Sequence, residues 1–475
     1  MSKRQRKRAE KQRRHRGEQR LGRSIATGAG VTVGATLLMG GAAQAACTCT
    51  VDSLADPSDA GHTTLRDAIT SANANPYSTI TFDSSLSGAI TLNGTELPQI
   101  TAAGTTIQGP GSDVLSVDGD FNSRIFNVSA TDATISGLEI RNGVENYGGG
   151  IYLQAGNLTV EDSVITGNEA DTDDGGGIFV HTGNLTVESS TLSYNVADDF
   201  GGAIAGQPGI AIHAGSTSVR NSTLSGNDAS QIGGAAYLSY NSPATVENST
   251  IYENYADGPS GVVGGLYHAG QAGGPGLIVS GSTITSNYAT DRGGGVGGGG
   301  LTSGVQPTLR NTIVSANTVG TGGTGPDLSV GGYTMDVEFS LIGTVDSDVT
   351  INQTGPNIVG QNPQLGILDD NGGPTRTQKP AATSPAIDAG SAFGLTTDQR
   401  GLGRPFDAIT VNAAGGDASD IGAVELQSSD IAAAPVPTSP ATPSTPAKKK
   451  KCKKKKQKRS AESAKKKKCK KKRKK

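Results

Sequence analysis

The chain has no tryptophan and only eight phenylalanines in 475 residues, which excludes a broad globular core assembled from large aromatic side chains. Helical periodicity is missing outside one short stretch, so a bundle or an alternating α/β fold is excluded as well. Cysteine is scarce. Cys47, Cys49, Cys452 and Cys469 make neither a disulfide framework nor a four-ligand zinc site, and the five histidines share no common column; the cysteines read as surface thiols of minor consequence. Positive charge is missing from the middle of the chain. Of the 41 basic residues, eleven lie in 1–23 and twenty in 448–475, which leaves ten basic and forty acidic side chains between Ser24 and Ala447. That acidic middle lacks the basic groove and stacking aromatics of a dedicated nucleic-acid binder. Long apolar runs are absent too. The fifteen residues Ile25 to Met39 are too few to span a bilayer comfortably, so no transmembrane helix is expected in the mature chain.

What is abundant is glycine, 69 residues of it, and it is periodic. From Gly148 the chain falls into six lines, such as GGGIYLQAGNLTVEDSVITGNEADTDD and GGGIFVHTGNLTVESSTLSYNVADDF. Each opens on glycines, carries short apolar alternations and reaches an asparagine near its end. Asn168, Asn195, Asn227, Asn254, Asn287 and Asn317 form one column at intervals of 27, 32, 27, 33 and 30 residues. Five positions upstream runs a second column of Ser163, Ser190, Ser222, Ser249, Ser282 and Thr312, and three upstream a third of Ile165, Leu192, Leu224, Ile251, Ile284 and Val314. The runs between turns are too short for helices and rich in β-branched residues. A period near thirty built from several short strands fits one coil of an all-β parallel solenoid, each coil pairing with the next about 4.8 Å away. The apolar column then stacks inside, and the asparagines bond to their own copies above and below, as in stacked sheets, while tolerating the left-handed backbone of a sharp corner. The column reads as structural, with Asn142 as its imperfect start. Residues from about 80 to 355 give roughly ten coils, a rod on the order of 50 Å long.

The first residues, 1–45, read as a signal peptide with a long basic n-region, closing on Ala43-Gln44-Ala45. Thr64 to Ala72 is the one helical signal: Leu65, Ala68, Ile69 and Ala72 share a face, and Thr64 with Asp67 has the form of a capping box. A solenoid needs a lid over its exposed first coil. The segment TTLRDAITSANANPYSTITFD at 63–83 resembles the opening of bacterial surface proteins with a CSLREA-type domain, though Thr63 stands where that family has cysteine. NPQLGILDDNGGPTRTQKPAATSPAIDAG, TDQRGLGRP and DIGAVEL, within 362–426, are similar to the choice-of-anchor Q domain of bacterial β-helix surface proteins. These resemblances imply a right-handed, single-stranded parallel β-helix; the helical signal gives it a short N-terminal capping helix, and like charges at such density leave the basic termini disordered. The expected organisation is an N-terminal cap with first strands at 46–107, β-helix repeats at 108–355, a choice-of-anchor Q-like C-terminal cap at 356–426, a Pro/Ser/Ala linker at 427–447 and a Lys-rich tail at 448–475. In the cap, Arg400 and Arg404 with Asp388, Asp398 and Asp420 are expected to form ion pairs.

Parallel β-helices also carry polysaccharide lyases and glycosidases. The candidate carboxylates follow the asparagine column: Asp171, Asp173 and Asp174, then Asp198 and Asp199, then Asp257. With coils in register, Asp171 and Asp198 would lie one strand spacing apart and repel unless a cation bridged them, so Asp171, Asp198, Asp174 and Asp199 are the candidate Ca²⁺ ligands; polar turn residues are the simpler reading. Only Arg220, Arg292 and Arg310 are basic between Gly148 and Gly323, which suits neither a general base nor acidic sugars. No catalytic residue is assigned. The expectation is therefore a secreted, surface-associated rod with a structural, adhesive or binding role and a possible glycan ligand at its surface. Its Lys-rich tail would hold it to anionic wall polymers or polysaccharide by counterion release. A carbohydrate-active lyase or hydrolase is the alternative.

Overall fold

The computed structural model describes residues 46–431, apart from 208–214, 239–242, 271–275, 300–306, 330–333, 346–348 and 408–410. The expected signal peptide, nearly all of the linker, Cys452, Cys469 and the Lys-rich tail lie outside the described residues. One coil shows how the rest is made. Asn157–Glu161, Val164–Thr166, Glu169–Ala170 and Ile178–Val180 follow one another around the cylinder, and Asn184–Glu188 then opens the next coil in register on the first. Each strand adds one rung to its own parallel sheet, and the four sheets, first to fourth along the coil, hold twelve, eleven, seven and eight strands. The fold is thus the expected all-parallel solenoid of about ten coils.

The alternation within each strand decides what faces inward. Leu158 and Val160 are buried while Asn157, Thr159 and Glu161 are not. The column from Ile165 through Leu192, Leu224, Ile251 and Ile284 to Val314 stacks residue on residue in the second sheet, nowhere more than 1% exposed. That continuous apolar core is the main stabilising burial.

Two side-chain ladders fix the corners. Asn168 donates its backbone N–H and its Nδ2 to Asn195 Oδ1, at 3.2 and 3.0 Å, and Nδ2 also donates to the Ile140 carbonyl of the preceding coil at 3.0 Å. The same trio recurs from Asn195 to Asn227, Asn227 to Asn254, Asn254 to Asn287 and Asn287 to Asn317. One corner earlier, Ser163, Ser190, Ser222 and Ser249 each donate a backbone N–H to the hydroxyl of the serine in the next coil. The asparagines force the glycine pairs. A Cβ on Gly177 would stand 3.1 Å from the Asn195 amide carbon, and one on Gly176 would stand 2.2 Å from the Val196 carbonyl oxygen.

Two details differ from the sequence reading. Asn142 does not start the ladder: Gly143 holds that register, donating its N–H to Asn168 Oδ1 at 2.8 Å. The left-handed corner also belongs to the residue before each asparagine, Gly167, Tyr194, Gly226, Glu253, Ser286 and Ala316. The ladder ends on a residue that the repeat does not mark. Asp327, at the place of Gly177 in the last coil, takes both donors of Asn317 on Oδ1, at 3.0 and 2.8 Å.

The two ends are built differently from each other. Helix α1, Leu65–Ala74, has the capping box of Thr64 and Asp67 and turns Leu65, Ala68, Ile69 and Ala72 into the solenoid core. A strand precedes it, Thr48–Val51, the first rung of the first sheet, so α1 lies between two rungs. Cys47 and Cys49 are joined as a disulfide rather than standing as thiols. At the other end the solenoid continues to Ile358–Val359, past residue 355.

The segment after it does not close the cylinder as a cap. It forms a hairpin, Leu365–Asp369 with Thr377–Pro380, and then folds back along the flank of the second sheet as a strap. Thr375 Oγ1 donates to the Asn221 carbonyl at 2.9 Å, Asn248 Nδ2 to the Thr397 carbonyl at 2.9 Å, Ala423 N–H to Thr283 Oγ1 at 3.0 Å and Asn311 Nδ2 to the Asp420 carbonyl at 2.9 Å. Four successive coils are gripped this way.

Replacing Asn195 by alanine orphans two N–H donors of Asn168 and the Ile165 carbonyl. Each buried group left unpaired costs on the order of 1–3 kcal/mol. The double variant Asn195→Ala, Asn227→Ala should melt several degrees below the wild type by calorimetry. An unchanged melting temperature would remove the ladder as a stabilising element.

Candidate binding face and its acidic corner

The fourth sheet is made of apolar triplets whose two outer residues point inward, as Ile151 and Leu153 or Ile178 and Val180 do. The middle residue must then point out. In register along the rod these middle residues are Tyr152, Phe179, Ala205, Tyr237 and Tyr267. The preceding turn adds Tyr147 and Phe200, which pack on the same face. Ring centroids lie 4.8 Å apart for Tyr147 and Phe179, 5.7 Å for Tyr152 and Phe179, 4.9 Å for Phe200 and Tyr237, and 5.5 Å for Tyr237 and Tyr267. Phe179 and Tyr237 are covered by their neighbours, while Tyr147, Tyr152, Phe200 and Tyr267 keep part of their rings in solvent. The Arg124 guanidinium sits 4.9 Å above the Tyr152 ring and pairs with Glu96 at 2.8 Å. Polar side chains edge the face: Gln99 bonds to Asn127 and to Gln154, and His181 to Gln207. The chain's low overall content of aromatics hides this face in the sequence. The signal was the middle residue of the triplet after each glycine pair.

The acidic turn borders the aromatic face. Asp171 and Asp198 do fall in equivalent places, directly after Glu169–Ala170 and Val196–Ala197, whose residues pair. Asp174 turns inward instead and accepts the Phe200 N–H at 3.0 Å, and Asp199 accepts from Gln231 Nε2. Asp171 and Asp198 thus share a row, whereas Asp174 and Asp199 each bond to the coil after them. Among the described residues no three His, Cys, Asp or Glu side chains are placed to hold a metal, whereas Ca²⁺ takes six to eight oxygens. Burial pushes the Asp174 carboxyl up to about 7, with Asp199 and Asp173 adding to the rise against the Phe200 N–H. Burial likewise pushes the Tyr147 hydroxyl up to about 12, helped by its hydrogen bond to Asp173.

The expected ion pairs of the C-terminal segment are rearranged. Arg400 pairs with Asp398 at 2.9 Å and with Asp430 at 3.1 Å, and Arg404 pairs with Glu425 at 2.9 Å. Asp420 accepts backbone N–H groups from Asp388 and Leu426 rather than a guanidinium. Burial, then the neighbouring Glu425 carboxylate, pushes Asp420 up to about 7. Asp388 is fully buried and contributes that backbone donor. Glu425 and Asp430 are the carboxylates that the motif reading missed, because pairing across an irregular strap leaves no periodicity to read. These groups bond to one another and to the strap's own backbone.

A family model described as "Right handed beta helix region" matches residues 78–258 and 125–321. No curated protein matches the chain in sequence. Among solved structures, the chain is similar to the crystal structure of pectate lyase Pel9A, at 14% identity and a TM-score of 0.48, covering 80% of this chain and 98% of that one. It is also similar to a mannuronic acid specific polysaccharide family 6 lyase from human gut microbiota, at 10% identity and a TM-score of 0.23, covering 59% of this chain and 86% of that one.

The raised Asp174 carboxyl ties stability to pH. Its folded value of about 7 lies above the ordinary 3.8, so the folded state binds the proton more tightly. That contribution is complete below the ordinary value and is lost as pH rises to about 7. Asp174→Asn keeps an acceptor for Phe200 without the charge. Its melting temperature should match the wild type near pH 4 and exceed it near pH 7; parallel curves across that window would refute the shift.

Proposed function

This chain belongs to the right-handed β-helix family, and on that ground we propose that it is a secreted, surface-associated rod that binds glycan and is held to anionic envelope polymers by its Lys-rich tail. The aromatic face of the fourth sheet carries this reading. Sugars pack against aromatic rings, and Tyr147, Tyr152, Phe200 and Tyr267 keep part of their rings in solvent along the rod beside amide side chains. The carboxylates of the adjoining turn favour a neutral chain over an acidic one. The tail supplies attachment. Twenty basic residues against Glu462 in 448–475 bind polyanions by releasing their counterions, an attraction that falls with salt. No described helix is long and apolar enough to cross a membrane.

A carbohydrate-active enzyme of lyase or hydrolase type is the second reading. It draws on Asp174, whose carboxyl keeps its proton up to about 7 next to Asp173 and Asp199, as a general acid would. Two measurements separate the readings. Cells expressing the chain without residues 448–475 should release it to the medium at low salt, and unchanged retention would sink the attachment. Incubation with a panel of neutral and acidic polysaccharides should give binding, weakened about tenfold or more by Tyr152→Ala with Tyr267→Ala, and no new reducing ends or unsaturated products. Product formation that Asp174→Asn abolishes would establish the enzyme instead.

A further inference from the structure

We propose that the cleft between the last asparagine corners and the strap binds a single neutral sugar residue. It is separate from the aromatic face, on the opposite side of the asparagine corner, and does not depend on the role given to that face. The cleft measures about 400 Å³, within the range of small-molecule sites. One wall is solenoid, from Thr285 to Thr344, and the other is strap, from Gly360 to Gln378. Its floor is the end of the ladder, where Asn317 meets Asp327.

The wall chemistry selects the ligand. Hydroxyl and amide side chains predominate, and no residue lining the cleft is cationic. Gln378 uses one N–H on the Gly366 carbonyl and accepts the Thr285 hydroxyl, which leaves an N–H and a lone pair unused. Asp327 is 1% exposed. Its Oδ1 takes two donors from Asn317, its Oδ2 takes the Thr344 N–H at 2.7 Å, and the Thr344 side chain also hydrogen-bonds to the carboxylate. Gly343 keeps the floor open: a Cβ there would stand 2.6 Å from both Asp327 Oδ2 and Ser315 Oγ. A set of donors and acceptors around one buried carboxylate, with Pro363 and Leu365 as the apolar patch, matches the hydroxyls and C–H face of a neutral pyranose. A uronate would bring its negative charge to Asp327 with no cation to offset it.

The mouth offers a test that leaves the fold alone. Ala316 is exposed at the rim, at a left-handed corner with φ of 59°, and the equivalent corner four coils earlier in the same column carries Tyr194 at φ 55°. Ala316→Tyr therefore places a tyrosine where the solenoid already accepts one. Saturation-transfer NMR and calorimetry on the full chain would use glucose, galactose, mannose and N-acetylglucosamine, with glucuronate and galacturonate beside them. At least one neutral sugar should bind saturably, both uronates about tenfold or more weaker. Ala316→Tyr should lose that binding by a similar factor, with its melting temperature and its polysaccharide binding through the aromatic face unchanged. Absence of saturable binding by all four neutral sugars, uronates binding as well as neutral sugars, or a variant that binds like the wild type would each overturn the proposal while leaving the aromatic face untouched.

Discussion

From Asn195 onward, each asparagine oxygen in the corner column receives two N–H groups from the coil before it, and every other feature of the rod assumes that contact. A side-chain amide that satisfies backbone groups of the coil before it and bonds to the asparagine oxygen of the coil after it can do so only if the coils rise by a constant step and do not slip. The demand propagates. Gly176 and Gly177 are small because the amide and the next strand's carbonyl occupy the space a Cβ would need. Tyr194, Glu253, Ser286 and Ala316 accept a left-handed backbone that costs an ordinary residue on the order of 1–2 kcal/mol, because the ladder holds the corner in place. Asp327 then ends the series with a carboxylate, whose burial raises its affinity for a proton even as Asn317 and Thr344 donate to it.

Strict stacking makes the surface legible by rows. Whatever residue type occupies one outward position is repeated at the inter-strand spacing along the rod, so a single substitution pattern writes a whole face. In the fourth sheet that pattern is aromatic, and in the turn before it acidic. Rings at this spacing cover one another, which is why Phe179 and Tyr237 behave as a small external core while the flanking rings are only partly buried.

The strap works by other means. It has no repeat of its own and reads the solenoid through neutral contacts, Gln399 bonding to Ser222, Thr223 and Thr250 on two coils. Its charges turn on themselves. Arg404 and Glu425 are wholly buried against each other, and pairs of that kind rarely add net stability but penalise any arrangement that separates them. Four of the ten basic residues between Ser24 and Ala447 lie in this segment, Arg376, Lys379, Arg400 and Arg404, and Lys379 and Arg400 converge on Asp430. The cleft exists because the strap leaves the flank just beyond the last asparagine corner.

The thirty-residue period, the three columns, the solenoid and the capping box at Thr64 were determined by the sequence alone, because each rests on contacts between residues at fixed spacing or within one turn. The ladder register of Gly143, the end of the ladder at Asp327, the Cys47–Cys49 bond and the aromatic face were settled only by the coordinates. So were the partners of Arg400 and Arg404 and the path of the strap along the flank instead of over the end. The physical reason is the same throughout. A repeating contact prints itself on the chain once per coil, whereas a contact made once, between segments more than a hundred residues apart such as Asn248 and Thr397, leaves no period to read and is decided by which surfaces fit when the chain closes on itself.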